Sequence, residues 1–322
     1  MAHEFDVIDT FFKPLSSVAS ADEIGIGDDG AVLSCQAGKQ LVVVTDTLIE
    51  GVHFPVETSA CDIAWKALAV NLSDLAAMGA TPAFYSLALS LPSEKNNQAW
   101  LEMFAGGLKQ LANLYNIPLI GGDTTRSDRL TITITAQGWV ESGHAILRKG
   151  AKPGDLIYVS GVLGEGGLGL KAVQQHWDKA SYASAIQQLN KPTPQVTLGY
   201  YLKGLATSAI DVSDGLLADL KHILSSSQVG AWVDVKSVPV SNCMQTYIQQ
   251  SNDWSLPLIA GDDYELCFTI HPDNQITIHE LAEELEISLT EIGQIVTGEG
   301  GIQLKNTPQG QTSLQSLGFA HF

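Results

Sequence analysis

Apolar residues recur along this chain in two patterns of spacing, and both patterns occur in each half. Apolar positions three and four residues apart predict helices, whereas short runs rich in Val, Ile and Thr predict strands. The predicted helices cover residues 4–12, 60–78, 98–115, 167–177, 182–189, 195–205 and 216–224. The predicted strands cover residues 31–35, 41–45, 84–91, 117–120, 130–140, 156–159, 209–212, 231–235, 266–270, 289–295 and 302–304. Mixed helices and strands in both halves indicate an α/β or α+β protein.

The length of the chain, 322 residues, favours two domains, since one small core rarely grows to that size. A run of turn-forming residues from Arg148 to Asp155 is typical of a linker. We therefore expect one domain over residues 1–142 and a second over residues 150–322.

The charge and hydropathy of the chain limit the kinds of molecule that it can bind. Hydrophobic residues make up 45% of the chain and charged residues 16%, which is typical of a globular protein. The formal net charge of −18, from 17 Lys and Arg against 35 Asp and Glu, disfavours binding to nucleic acid or to an anionic membrane. The chain has no apolar run long enough to cross a membrane and no apolar signal region at its start.

The four cysteines indicate a reducing environment. They are scattered and form no Cys-x-x-Cys pair, so they resemble small core residues and not ligands or disulfide partners; they are Cys35, Cys61, Cys243 and Cys267. We expect a cytoplasmic protein.

The loop GIGDDGA at residues 25–31 sets two adjacent carboxylates, Asp28 and Asp29, among three glycines. Adjacent carboxylates repel each other unless a proton or a cation intervenes, and Mg²⁺ prefers such oxygen ligands. An isolated Asp-Asp-Gly is more commonly a solvated turn. The loop points to a metal only if the chain supplies partners for it.

Further acidic residues stand where predicted strands or helices stop, namely Asp46, Asp74, Asp123, Asp211 and Asp214. Ligands of α/β proteins gather outside the carboxyl ends of strands. Each carboxylate alone is more typical of a turn or a helix cap. Taken jointly, with glycines beside them, they predict a multi-metal site that handles phosphates.

Other motifs give weaker signals. Residues 164–169 fit G-x-G-x-x-G, but the segment lacks the returning strand and acidic residue of a dinucleotide site, so a flexible or closely packed glycine loop is the better interpretation. The chain contains no phosphate-binding G-x-x-x-x-G-K-[ST] loop, and it lacks the motifs of protein kinases, zinc proteases and serine hydrolases. If ATP is used, metals must hold its phosphates.

Six motifs in order resemble the thiamine-monophosphate kinase family of the aminoimidazole ribonucleotide synthetase superfamily. They are GIGDDGA at 25–31, TDTLIEGVH at 45–53, AVNLSDLAAMG at 69–79, GGDTT at 121–125, DVSDG at 211–215 and GDDYEL at 261–266. The resemblance implies an N-terminal domain whose sheet pairs with its twin across a homodimer, and a C-terminal α/β domain. It also implies transfer of the ATP γ-phosphoryl group to thiamine monophosphate, assisted by several Mg²⁺ ions and without a general base.

The resemblance assigns roles residue by residue. The positions that match magnesium ligands are Asp29, Val44 (through its backbone carbonyl), Thr45, Asp46, Asp74, Asp123, Asp211 and Asp214. The positions that match ATP contacts are Gly122, Asp123, Arg148 and Ser213. The positions that match substrate contacts are His53, Asp262 and Phe319. Without the resemblance, Arg148 would be a solvated charge, His53 a packed loop residue and Phe319 an anchor of the C-terminal tail.

One position departs from the family pattern, which usually reads GEDYEL. Asp262 stands where a glutamate is expected, one methylene shorter. We expect a direct substrate contact to become water-mediated at this position, without loss of activity.

Two alternatives stay open at this stage. The first is another ATP-using member of the superfamily, an amidine-forming or a selenophosphate synthetase. No reactive Cys or adjacent Lys precedes the first glycine–aspartate loop, which disfavours the selenophosphate enzyme. The second is a non-catalytic protein that binds divalent cations, which would leave Arg148, Ser213 and the GDDYEL segment unexplained.

Overall fold

The chain divides into two compact units, each with its own sheet. The computed structural model describes residues 4–16, 23–27, 30–298 and 300–307. The first unit holds the described residues up to Leu75 together with Ala80–Gly143. The second holds Ala76–Gly79 and the described residues from His144 onward. Helices and strands occur in both units, which confirms the predicted α/β class.

The first unit is built on a four-stranded sheet in the order β1-β4-β2-β3. Its strands are β1 (Lys39–Ile49), β2 (Thr81–Leu91), β3 (Leu119–Arg126) and β4 (Thr131–Glu141). Its helices are α1 (Glu4–Val7), α2 (Ala60–Ala77) and α3 (Gln98–Tyr115). Strand β4 is antiparallel to both of its neighbours, whereas β2 and β3 run parallel.

The two faces of this sheet differ in polarity. Ile132, Ile134 and Ala136 of β4 are fully buried, and α2 packs on their face, because a side chain at Gly138 would meet Leu75 of that helix. The threonines of β4 alternate with these residues and lie on the other face. That face carries two cross-strand hydroxyl hydrogen bonds of 2.9 Å, Thr45–Thr135 and Thr47–Thr133. The alternation of Thr and Ile in the sequence thus produces one dry and one open face.

The structure differs from the predicted elements at the start of the chain. The helix predicted over residues 4–12 is α1 followed by a π-helical turn (Ile8–Phe12) and a 3-10 turn (Lys13–Leu15). The strand predicted over residues 31–35 is wrong, because Val32 forms only an isolated bridge with Ile24 and has no ladder to extend. Strand β1 is longer than predicted, because β4 pairs with it along its whole length.

The second unit is built on a six-stranded sheet in the order β10-β7-β9-β5-β8-β6. Its strands are β5 (Leu156–Ser160), β6 (Ala206–Val212), β7 (Gly230–Asp234), β8 (Glu265–Ile270), β9 (Leu289–Val296) and β10 (Ile302–Lys305). Its helices are α4 (Glu165–Gln174), α5 (Ala183–Asn190), α6 (Val196–Leu202), α7 (Leu216–Ser227), α8 (Asn242–Ser251), α9 (Ser255–Ile259) and α10 (Gln275–Leu285). The pairing is antiparallel except between β7 and β10.

Helix α7 supplies much of the core of the second unit. Leu216, Leu220 and Leu224 lie on one face of the helix at helical spacing and are buried against strand residues such as Val159 and Val212. A smaller cluster joins α4, α5 and α8 through Leu168, Ala185, Met244, Tyr247 and Ile248. Helices α8, α9 and α10 are absent from the predicted elements. Within the described part of the chain, no helix combines the length and hydropathy needed to cross a bilayer.

Two adjacent glycines of α3 give a matched test of helix packing. A Cβ at Gly107 would lie 2.2 Å from the Cys61 carbonyl oxygen of α2, whereas a Cβ at Gly106 would meet nothing within 4 Å. We expect Gly107→Ala to lower the free energy of unfolding by about 1–3 kcal/mol through overpacking. We expect Gly106→Ala to raise it by up to about 1 kcal/mol through helix propensity. Urea unfolding measures both, and equal effects of the two changes would contradict the packing.

Candidate active site

Asp46 and Asp123 lie inside strands and not at strand ends. Strand β1 continues past Asp46 to Ile49, and β3 continues past Asp123 to Arg126, so this part of the prediction is wrong. Aspartate is depleted in strands, which makes it look like a terminator in a sequence. Here the neighbouring strands pair with the backbone on both sides of each aspartate, and this pairing overrides the local preference.

Asp46 and Asp123 are also far apart in the first unit. They belong to β1 and β3, the two edge strands, and two strands lie between them. Strand spacing puts roughly 14 Å between the two backbones, too far for one ion to bind both carboxylates. Asp46 lies on the face of β1 that buries Val42 and Leu48. Asp74 of α2 is half-buried.

The first glycine–aspartate loop and β3 line one cavity of about 610 Å³. The residues of the loop in its wall are Gly25, Ile26, Gly27, Gly30 and Ala31, and those of β3 include Gly121, Gly122, Asp123 and Thr124. The volume is within the range of small-molecule sites. Two motifs that the sequence placed nearly a hundred residues apart are thus brought together. Asp28 and Asp29 lie outside the described residues.

Gly122 lets β3 lie close to β2 beside this cavity. Its φ is +156°, and a Cβ there would lie 1.8 Å from the Leu87 carbonyl oxygen. Any side chain at this position would push the two strands apart. The second glycine of GGDTT is therefore required by the sheet, whatever it also contacts.

The DVSDG turn in the second unit is fixed by Asp219 of α7. One carboxylate oxygen of Asp219 accepts hydrogen bonds from the backbone N–H groups of Ser213 and Asp214, each at 3.0 Å. Burial, followed by the charges of Asp211 and Asp214, raises the pKa of Asp219 to about 8. Sequence reasoning missed this residue, although an acid in the first turn of a helix is a recognisable signal for binding to nearby N–H groups.

The GDDYEL segment is bonded directly to the DVSDG turn. The N–H of Asp262 donates to the Ser213 carbonyl at 3.0 Å, and the N–H of Tyr264 donates to the Val212 carbonyl at 2.8 Å. Asp262 and Tyr264 both have positive φ, at 70° and 53°. The Tyr264 hydroxyl lies 3.1 Å from Asp262 Oδ1 and donates to it. The position that departs from the family pattern is thus held by its backbone and by its carboxylate.

Asp263 of the same segment explains the glycine loop at residues 164–169. Its buried carboxylate accepts hydrogen bonds from the N–H of Gly164 at 2.7 Å and of Gly166 at 3.2 Å. Burial raises its pKa well above the usual range. The N–H groups that would cradle a phosphate are occupied by this carboxylate, so the loop is the closely packed one and not a dinucleotide site.

Arg148 is exposed and lies in the turn before β5. The backbone of this turn runs beside β6, where the N–H of Ala209 donates to the Leu147 carbonyl at 3.1 Å. Ala209 is four strand positions before Ser213, or roughly 13 Å.

His53 follows β1 in a turn and is half-buried. Its Nδ1 accepts a hydrogen bond of 2.9 Å from the N–H of Ile49, so this nitrogen carries no proton and the neutral ring is protonated at Nε2. Lys66 of α2 donates to the His53 carbonyl at 3.3 Å. The ring is therefore fixed from its own turn. Phe319, the third position that matches a substrate contact, lies outside the described residues.

The acidic residues fit Mg²⁺ by their chemistry. In the described ranges, no three His, Cys, Asp or Glu side chains form a ready-made metal site. However, after burial, the charges of Asp211 at the end of β6 and of Asp214 in the following turn raise the pKa of Asp219 in α7, so carboxyl groups gather where β6 leads into α7. A divalent cation relieves repulsion between neighbouring carboxylates, and Mg²⁺ in phosphate-transfer sites needs only one or two protein carboxylates beside water and phosphate oxygens.

Three comparisons bear on these residues. The sequence profile of the AIR synthase related protein, N-terminal domain, matches residues 27–140, and that of the C-terminal domain matches residues 152–305. The thiamine-monophosphate kinase of Escherichia coli K12 is 41% identical over 99% of this chain and 98% of its own. The crystal structure of thiamine-monophosphate kinase from Stenotrophomonas maltophilia K279a superposes with a TM-score of 0.84 at 48% identity, covering 89% of this chain and 92% of its own. AaThiL complexed with AMPPCP and TMP superposes with a TM-score of 0.79 at 29% identity, covering 99% and 97%.

Glu265, the fifth residue of GDDYEL, gives a test by pH. It is buried, and desolvation raises its pKa to about 7 even though the Ser160 hydroxyl donates to it at 2.5 Å. A raised folded-state pKa means that the folded protein binds more protons than the unfolded chain between about pH 4.5 and pH 7. Stability is therefore lost as the pH rises through this window, because the buried group must ionise.

Glu265→Gln stays neutral at every pH. As the pH rises from 4.5 to 7.5, we expect its free energy of unfolding minus that of the wild type to increase by up to about 3 kcal/mol. Urea unfolding across this range measures the difference. The exposed Glu280→Gln is the control and should follow the wild type. A constant difference between Glu265→Gln and the wild type at every pH would contradict the burial of an ionisable carboxyl group.

Proposed function

The chain belongs to the thiamine-monophosphate kinase family of AIR synthase related proteins, and we propose that it transfers the γ-phosphoryl group of ATP to thiamine monophosphate, giving thiamine diphosphate and ADP. The observation that carries this proposal is the likeness to AaThiL complexed with AMPPCP, an ATP analogue, and TMP, over nearly the whole of both chains. The six motifs that carry the resemblance fall within the aligned length.

The acceptor explains why no general base is needed. A phosphate monoester is already ionised near neutral pH, so its oxygen attacks without losing a proton to the protein. What the chain must supply is the alignment of two polyanions and the compensation of their charge. An acidic protein cannot do this with carboxylates alone, because they repel both substrates.

We propose Mg²⁺ as the cofactor, with several ions per site. Bound Mg²⁺ neutralises charge that develops on the transferred phosphoryl group. The side chains proposed to hold it are Asp29, Thr45, Asp46, Asp74, Asp123, Asp211 and Asp214, with the backbone carbonyl of Val44. The separation of Asp46 and Asp123 on opposite edge strands supports more than one ion.

The proposed ATP contacts are Gly122, Asp123, Arg148 and Ser213. Support for the first two is their place in the wall of the cavity beside the glycine–aspartate loop. Support for the last two is that both lie beside β6, since the Leu147 carbonyl accepts from the N–H of Ala209 and Ser213 directly follows the strand. Arg148 suits a phosphate clamp, because a guanidinium donates two parallel hydrogen bonds to phosphate oxygens.

The proposed contacts for thiamine monophosphate are His53, Asp262 and Phe319. The N–H of Ile49 donates to Nδ1 of His53 and so orients the ring within its own turn, which supports a role in positioning the substrate. The carboxylate of Asp262, held by Tyr264, suits the positive charge of the thiazolium ring.

We further propose a homodimer, formed through the open face and edge of the first sheet, and a cytoplasmic location. Support for the dimer is the exposure of Leu41 (44%) and Val43 (56%) on β1, an edge strand eleven residues long. Unpaired strand edges with apolar residues favour association with another chain. The cytoplasm is where ATP is available. We also keep domain limits of 1–142 and 150–322 as proposals.

Replacing one proposed magnesium ligand tests the reaction itself. Purified protein is incubated with Mg²⁺, ATP and thiamine monophosphate, and thiamine diphosphate is measured. We expect Asp46→Asn to lower kcat by about 100-fold or more, because it weakens charge compensation in the transition state. A chelator should abolish turnover of the wild type. The exposed Asp128→Asn is the matched control and should keep wild-type activity.

Other outcomes of this assay would indicate a different mechanism or a different function. Product formation that neither Asp46→Asn nor the chelator changes would rule out the proposed mechanism. ATP hydrolysis with a different acceptor would favour another ATP-using member of the superfamily. Magnesium binding without any turnover would favour a non-catalytic protein.

Asp262→Asn tests the acceptor site separately. Asparagine tolerates the positive φ of this position and keeps its size, but it removes the negative charge. We expect the KM for thiamine monophosphate to rise about threefold to tenfold, because the attraction between a carboxylate and the thiazolium charge is lost, while the KM for ATP stays unchanged. Asp273→Asn, in an exposed turn, is the control. An equal rise in both KM values would show that the variant disturbs the DVSDG turn and not one substrate.

A further inference from the structure

Ser227, the last residue of α7, is bonded three times to the turn that carries Arg148. Its Oγ accepts hydrogen bonds from the N–H groups of Gly150 at 3.1 Å and Ala151 at 3.2 Å. The same hydroxyl donates to the carbonyl oxygen of Arg148 itself at 3.3 Å. One side chain therefore bonds to three backbone polar groups within four residues of the turn.

The turn is also fixed against β6. The Leu147 carbonyl accepts from the N–H of Ala209, and a Cβ at Gly150 would lie 2.1 Å from the Thr207 carbonyl oxygen. Further along, one carboxylate oxygen of Asp155 accepts from the Lys152 N–H at 2.9 Å and from the Thr207 hydroxyl at 2.7 Å. These contacts hold both ends of the turn to the strand. Ser227 fixes the backbone of the turn between these contacts, from Arg148 to Ala151.

We propose that Ser227 is a positioning residue for Arg148 in ATP binding. The inference rests on the proposed function, in which Arg148 contacts the nucleotide. The backbone of Arg148 is fixed on one side through Leu147 and on the other through the bonds of Gly150 and Ala151 to Ser227. Binding phosphate costs conformational entropy, because the exposed arginine side chain and the loop that carries it must both become ordered. When the backbone of the turn is already fixed, only the entropy of the side chain is lost.

The same helix reaches the other proposed ATP contact in this unit. Asp219 near the start of α7 holds the N–H of Ser213, and Ser227 at its end holds the turn of Arg148. A helix packed through Leu216, Leu220 and Leu224 is a rigid spacer. Helix α7 thus sets the distance between two nucleotide contacts, and Ser227 is the link at the Arg148 end.

The test compares neighbouring serines in the full-length enzyme. Ser227→Ala removes the hydroxyl, Ser227→Thr keeps it, and the exposed Ser226→Ala is the matched control. We expect Ser227→Ala to raise the KM for ATP roughly fivefold to twentyfold, as expected when hydrogen bonds that order a binding loop are lost. The KM for thiamine monophosphate should stay unchanged. Ser227→Thr should restore the KM for ATP, and Ser226→Ala should match the wild type.

Arg148→Ala, alone and combined with Ser227→Ala, shows whether the serine acts through the arginine. We expect the double variant to have the same KM for ATP as Arg148→Ala, because a positioning residue has no effect once its target is gone. Additive effects would overturn the inference while leaving Arg148 as an ATP contact. A wild-type KM for ATP in Arg148→Ala would overturn both that contact and the inference. Absence of thiamine diphosphate formation by the wild type would instead refute the proposed function.

Amide hydrogen exchange gives a readout that does not depend on turnover or on the folding of a variant. In the wild type, the N–H groups of Gly150 and Ala151 should exchange more slowly than unprotected amides, because Ser227 accepts from both. Exchange at the unprotected rate would overturn the inference even if Ser227→Ala fails to fold. In folded Ser227→Ala, exchange at these two amides should become faster.

Discussion

Buried carboxylates that accept hydrogen bonds from backbone N–H groups hold the loops of the second unit in place. Asp219 binds the DVSDG turn, Asp263 binds the glycine loop at residues 164–169, and Asp155 binds the linker turn. Loops cannot bury their backbone without such partners, since an unsatisfied N–H costs about 1–3 kcal/mol. An acidic chain has an ample supply of acceptors for this purpose. Some of its many acidic residues therefore serve the fold, and burial raises the pKa of Asp219 and Asp263 so that these two contribute little to the negative charge near neutral pH.

This arrangement separates two kinds of aspartate that look alike in the sequence. Asp262 and Asp263 are adjacent, yet the carboxylate of Asp263 binds two glycine N–H groups, whereas that of Asp262 accepts from the Tyr264 hydroxyl. Likewise, Asp219 already accepts two N–H bonds, whereas Asp214 lies in the turn that Asp219 holds. A carboxylate occupied by backbone donors is a poor metal ligand. The distinction depends on where chain segments meet, and spacing within a motif does not reveal it.

The sequence predicted the fold best where one local signal dominates. Helix α3 begins and ends where its apolar spacing predicts, between Asn97, which caps its start, and Asn116, which ends it in a left-handed conformation. Strand β1 was underestimated because its last residues are extended only through pairing with β4. Helix α8 escaped prediction, since only Met244, Tyr247 and Ile248 are buried along a polar segment. Its Ser241 cap, which accepts from the Met244 N–H, was the available signal.

Sequence motifs also do not give the distances between residues of the candidate site. Six motifs in order indicated one family, and motif order alone cannot give the distance between Asp46 and Asp123. The strand order β1-β4-β2-β3 puts these two residues on opposite edges of one sheet. Carboxylates so far apart cannot act as one chelating cluster, so in the proposed reaction charge compensation would be spread over several ions. An acidic protein that binds two polyanions needs such a distribution, because each added cation compensates substrate and protein together. In the proposed reaction, aspartates dispersed over strands, a helix and turns would hold such ions at separate points along an extended anion.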